Sequence, residues 1–125
     1  MNTTPTCADR ISEELERELT ALKELWTTYQ KDSEACTDEG ENLMEHGLCF
    51  DLVEAGTFEG QRADYYRYQI SYGGPSDEFR FYKNGDIEYW FLDWFDGAAE
   101  ELKGEDKELL ENVASCFGLG EWLEW

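Results

Sequence analysis

The chain has 125 residues, thirty of them Asp or Glu against ten Lys or Arg, giving a formal charge of −20 at pH 7. That length supports one domain around a single core, and five Trp with seven Tyr bring enough large apolar surface that the acidity does not imply disorder. Self-repulsion on this scale favours solubility and fast encounter with cationic partners, and argues against nucleic acid or an anionic membrane as the direct ligand.

From Thr6 to about Cys36, the apolar residues Ile11, Leu15, Leu19, Leu22, Trp26 and Tyr29 recur every three or four positions, the stripe of a long amphipathic helix. Thr6 followed by Asp9 fits a capping box. The other faces carry Asp9, Glu13, Glu14, Glu16, Glu18 and Glu24, partly balanced by Arg10, Arg17 and Lys23.

Between residues 37 and 60 glycines interrupt the pattern, leaving room for a short capped helix near 38–46 and an extended stretch from Leu48 to Val53. His46, the one histidine, stands beside Gly47 with no second histidine to share a metal. It reads as a surface or helix-end residue rather than a catalytic base.

"YYRYQISY" follows, with Tyr66, Tyr68, Ile70 and Tyr72 alternating against Arg67, Gln69 and Ser71, the period of a half-buried strand. "GGPS" turns the chain. "EFRFYK" returns to Asn84-Gly85, which predicts a two-residue type I′ hairpin. In "DIEYWFLDWF", Ile87, Tyr89 and Phe91 share one face and Glu88, Trp90 and Leu92 the other, so both faces are partly apolar and Trp90 needs cover or a partner.

Leu109, Leu110, Val113, Ala114 and Phe117 make a second helical stripe, with Glu105 and Asp106 in its first turn, where negative charge suits the helix dipole, and Gly118 at its end. The tail "GLGEWLEW" is expected to bury its Trp residues against the sheet, a partner contact being the alternative. The fold class is therefore α+β, one domain over 1–125: a long N-terminal helix, a three-stranded antiparallel β-meander and a C-terminal helix in a two-layer sandwich.

No run of about 18 apolar residues is present, and "MNTTPTCADR" lacks the basic start and apolar stretch of a signal peptide. Cys7, Cys36, Cys49 and Cys116 are scattered without a C-x-x-C, which suggests reduced thiols in cytoplasm, Cys49 and Cys116 serving as small buried hydrophobes.

Catalytic motifs are missing: no H-E-x-x-H, G-x-S-x-G, P-loop or G-x-G-x-x-G. Carboxylates are so abundant that a pair such as Asp93 and Asp96 is uninformative as acid and base. "DKELLEN" and "TDEGENLMEH" lack the calcium-loop pattern. The chain is thus expected to be no enzyme and to need no cofactor or metal.

What remains is charge used as a surface. Carboxylates three or four apart on a helix stand ~5–6 Å apart, comparable to the charge spacing of a duplex. Asp9, Glu13 and Glu16, continued by Glu24, form one ridge; Glu101, Glu105 and Glu108 form a second; Asp77, Glu78, Asp86, Glu88, Asp93 and Asp96 are added along the sheet edges. Such rows would suit a Lys/Arg groove built to neutralise phosphates.

The stretch "SYGGPSDEFRFY…IEYWFLDWFDGA", within residues 66–98, resembles short acidic proteins of plasmids, phages and integrative elements, often encoded among anti-defence genes. The resemblance implies a mobile-element inhibitor of host defence, similar in style to DNA-mimic anti-CRISPR and anti-restriction proteins, acting in the bacterial cytoplasm on a CRISPR effector or restriction enzyme. It assigns no individual residue. Two other readings are an antitoxin- or chaperone-like module that masks one basic partner, and a salt-adapted domain whose charge serves solubility; against the second, salt-adapted proteins usually trim large apolar side chains, in which this chain is rich.

Overall fold

Thr6 opens the first helix with the expected capping box: its hydroxyl oxygen accepts from the Asp9 amide at 3.2 Å, and the Asp9 carboxylate accepts from the Thr6 amide at 3.0 Å. The computed structural model describes residues 6–37, 40–47, 49–58, 60–61, 63–73, 75–93 and 96–118. In chain order come α1 (Cys7–Lys31), a 3-10 turn (Leu43–Glu45), β1 (Cys49–Val53), β2 (Tyr65–Ser71), β3 (Ser76–Tyr82), β4 (Ile87–Asp93), β5 (Asp96–Glu101) and α2 (Gly104–Cys116).

The architecture is α+β, with one correction. The sheet has five antiparallel strands in the order β1-β2-β3-β4-β5, not three. The extended stretch at 48–53 becomes the edge strand β1. β5, "DGAAEE", has neither β-branched nor aromatic residues, so nothing local marks it as a strand. It is recruited by its ladder with β4, which sets Ala99 opposite Trp90 and Gly97 opposite Leu92. Gly97 lets the strands close tightly there, since a Cβ would stand 2.8 Å from the end of the Leu92 side chain, which would have to shift.

Two boundaries also differ. α1 stops at Lys31 rather than near Cys36, because Asp32 leaves the helix in an extended conformation and its carboxylate accepts from the Glu34 amide at 3.0 Å, a local bond that competes with helix continuation. The β3–β4 hairpin has a three-residue loop, not a two-residue type I′ turn. Gly85 donates to the Tyr82 carbonyl, Tyr82 donates to the Asp86 carbonyl, and Gly85 takes the positive φ of a bulge residue, +100°. Of the short helix expected at 38–46 the described part is the 3-10 turn, capped by Asn42, whose Oδ1 accepts from the Met44 amide.

One sheet face carries an aromatic row, Phe50, Tyr68, Phe79 and Tyr89, aligned across four strands by the register. Phe50 and Tyr68 stack with centroids 4.3 Å apart, and Phe79 meets Tyr89 at 5.0 Å. Both helices cover this face. α1 buries Ile11, Leu15, Leu19, Leu22 and Leu25, while Trp26 and Tyr29 are only partly buried; α2 buries Leu109, Leu110, Val113 and Ala114. Phe117, just past α2, closes on Phe50 at 4.5 Å. Of the cysteines, Cys7 is buried, Cys116 half-buried and Cys36 exposed; the Cys49 side chain lies outside the described set.

The opposite face holds Tyr65, Arg67, Arg80, Tyr82, Trp90 and Leu92. Among the described residues no helix covers Trp90. The Arg80 guanidinium lies 3.9 Å from its ring centroid and 4.6 Å from that of Tyr65, and the segment after β1 bends over the same region through Phe58 and Gln61, leaving a hollow of about 520 Å³. The expectation that the Trp-rich tail is buried falls on residues 119–125, outside the described set. Because Trp90 is half-buried, Trp90→Ala should cost about 2 kcal/mol in denaturant unfolding, below the roughly 3–5 of a fully buried Trp. A loss above that range would mean that the face is closed.

Candidate acidic interface

The helical layer presents the acidic surface. On α1, Glu13, Glu16 and Glu24 are exposed, and on α2 so are Glu105 and Glu108. The cations among them are few: Arg17 reaches Glu14 at 3.1 Å and Glu13 at 3.7 Å, and Lys23 reaches Asp106 at 3.9 Å. The Arg17 and Lys23 side chains are 66% and 58% exposed, so water and salt screen these pairs and they neutralise little. Between the two helices lies a groove of about 310 Å³ with a floor of Leu15 and Leu19 and walls that include Glu16, Thr20, Lys23 and Asp106. Glu16 from α1 and Asp106 from α2 both line this mostly polar furrow, with Lys23 beside them.

The other predicted site residues separate into three groups. Asp77 and Glu78 are interior, 8% and 3% exposed, which corrects their placement on a presented sheet edge. They lie on β3, the middle strand of five. Asp77 accepts from Tyr89 Oη at 2.6 Å and from the Ser71 hydroxyl, and Glu78 pairs with Arg80 Nε at 2.8 Å. Buried carboxylates persist only when bonded in this way.

Asp93 and Asp96 serve the fold. The last residue of β4 and the first of β5 grip the start of α1: Asp93 pairs with Arg10 at 2.7 Å, and Asp96 accepts from the Cys7 amide at 2.7 Å. That amide is one of the helix's unsatisfied first-turn donors, and a carboxylate there also complements the dipole. The Cys7 amide, followed by that of Gly97, holds the Asp96 carboxyl below its usual range, and burial beside Asp96 pushes the Cys7 thiol up. Glu88, also away from any edge, accepts from Tyr82 Oη at 2.7 Å and Trp90 Nε1 at 3.0 Å.

Asp86 and Glu101 are exposed, yet neither joins a ridge. Asp86 closes the hairpin loop against Asn84. Glu101 belongs to β5 and faces Lys103 at 3.6 Å, so the expected Glu101–Glu105–Glu108 ridge is not continuous: a strand end and the start of α2 intervene. Asp9 remains exposed at the head of the α1 ridge, but its carboxylate is committed to the cap, whose Thr6 amide lowers its pKa.

His46 stands at the end of the 3-10 turn, in keeping with the helix-end reading, and is half-buried rather than on the surface. It is clamped between Glu18 and Glu41. Neither the furrow nor this clamp was visible in the sequence, since each depends on which helix faces meet. No helix among the described residues is long and apolar enough to cross a membrane. No protein-family model, curated protein or solved structure matches the chain.

Proposed function

We propose that this domain is a folded mimic of a nucleic-acid backbone that occupies a Lys/Arg-lined groove in a partner protein. One observation carries the reading: exposed carboxylates on α1 (Glu13, Glu16, Glu24) and α2 (Glu105, Glu108) share one helical layer, fixed by a common core and with few cations among them. A groove that binds phosphates gains from any ligand with such rows, and a preformed surface avoids much of the ordering cost of a flexible acidic tail. The setting implied by residues 66–98, a mobile-element inhibitor in the bacterial cytoplasm, makes CRISPR effector and restriction complexes the targets to assay.

The test is displacement of labelled duplex or guide RNA from purified complexes at low salt, repeated as salt rises. Competition that weakens steeply with salt supports the reading. Absence of displacement from every complex tried, with the protein folded, removes it. Any single Glu→Gln change on the helical layer should shift the midpoint less than about fivefold, because a rim charge contributes about 1 kcal/mol or less.

A further inference from the structure

His46 is the single histidine of the chain, and both of its ring nitrogens face carboxylates. Nε2 lies 2.6 Å from Glu18 Oε1, and Nδ1 lies 3.2 Å from Glu41 Oε2. A neutral imidazole has one N–H and would turn a lone pair toward one of these anions, whereas the imidazolium satisfies both. The His46 and Glu18 side chains are 15% and 13% exposed, so water does little to replace a lost contact there.

The clamp joins two separate parts of the fold. Glu18 is on α1, whereas His46 ends the 3-10 turn, twenty-eight positions further along. The same segment is held by Leu43 in the core, by Asn42 Nδ2 donating to the Ser33 and Ala35 carbonyls, and by Tyr68 Oη donating to the His46 carbonyl at 3.0 Å. Gly47, at φ +79°, presses its backbone so close to the Tyr68 ring that a Cβ would stand 2.5 Å away. Beside it lies a cavity of about 340 Å³ bounded by Glu41, Asn42, Glu45, His46 and Ile70.

We propose that His46 is a pH-sensitive latch: as an imidazolium it fastens residues 40–47 to α1, and its deprotonation frees that segment and opens the adjoining cavity. The charged groups facing the latch are Glu18 from α1 and Glu41 and Glu45 from its own segment, with Asp77 of β3 acting on Glu18. All are acidic. The β2 contribution is the neutral Tyr68 hydroxyl.

The Glu18 hydrogen bond, reinforced by the charges of Glu18 and Glu41, holds the imidazole above its ordinary value of 6.5 in spite of burial. A group raised in this way adds its full stabilisation below the ordinary value and loses it as pH climbs through the folded value. Release therefore comes with rising pH. Every tenfold difference in imidazole acidity between the fastened and the freed segment is a tenfold change in the latch equilibrium.

With one histidine, the test needs no assignment strategy. Imidazole ¹³C and ¹⁵N shifts of the intact protein, followed from pH 5 to 10, should show a doubly protonated ring at the acid end and a titration above the ordinary value. Amide protection factors at Met44, Glu45 and His46 should fall by roughly tenfold or more across that same titration, while those of β3 and β4 hold. Glu18→Gln should lower the imidazole titration, and His46→Gln should abolish the pH-linked step in protection. Titration at or below the ordinary value, or protection of the segment unchanged through the titration in the wild-type protein, overturns the latch.

Discussion

Tyr89→Ala should destabilise the domain by roughly 3–5 kcal/mol, and Tyr89→Phe by roughly 1.5–3, as read from denaturant midpoints at constant m-value. Tyr89 is fully buried, sits in the aromatic row next to Phe79, and donates from Oη to Asp77 at 2.6 Å. Alanine removes the ring and leaves a cavity beneath α1. Phenylalanine keeps the ring and strips one donor from a buried carboxylate, which isolates the electrostatic part of the loss. Burial, with the Asp77 bond and charge behind it, raises the Tyr89 hydroxyl far above its ordinary range, so the bond keeps its proton on tyrosine at all working pH. In a double-mutant cycle, Asp77→Asn should make Tyr89→Phe nearly neutral, because a neutral acceptor suffers less from losing its donor. A Tyr89→Phe variant as stable as the wild type would show that Ser71 alone satisfies Asp77.

That network explains why part of the molecule was legible in the sequence and part was not. The Thr6–Asp9 cap, the α1 stripe, the alternation of β4 and the end of α2 at Gly118 are set by residues within a few positions of one another, so pattern sufficed. Where it failed, the deciding contact is one that local propensity does not display, whether near in sequence, as with the Asp32–Glu34 bond that ends α1, or remote. β5 is a strand because β4 lies beside it. Asp93 and Asp96 look like surface charge until the start of α1 arrives from more than eighty positions away to bond them. Asp77 and Glu78 look solvated until Tyr89 and Arg80 are seen to satisfy them. The abundance of carboxylates in "PSDEFRFYKNGDIEYWFLDWFDG" thus has a structural origin for most of its members, which bond hydroxyl, amide or guanidinium donors within the sheet and at its junction with α1. The candidate interface shifts accordingly, away from the sheet and onto the helices.

Changing Glu13, Glu16, Glu24, Glu105 and Glu108 together to Gln should therefore move two measurements in opposite directions. Each exposed charge contributes about 0.2–1 kcal/mol to an encounter with a cationic groove, so the five together should weaken displacement of nucleic acid about tenfold to a thousandfold and flatten its salt dependence. The melting temperature should rise, since five charges leave a surface whose formal excess is twenty and the relief of repulsion outweighs the lost Glu13–Arg17 contact and the favourable position of Glu105 near the α2 N-terminus. The rise should shrink in added salt, which already screens the wild-type protein. A variant damaged in its fold would lose both stability and binding, whereas one that had lost only an interface gains the first and loses the second. If the quintuple variant melts higher yet displaces nucleic acid as well as the wild type, the helical layer is a solubility surface and the contact lies elsewhere on the molecule.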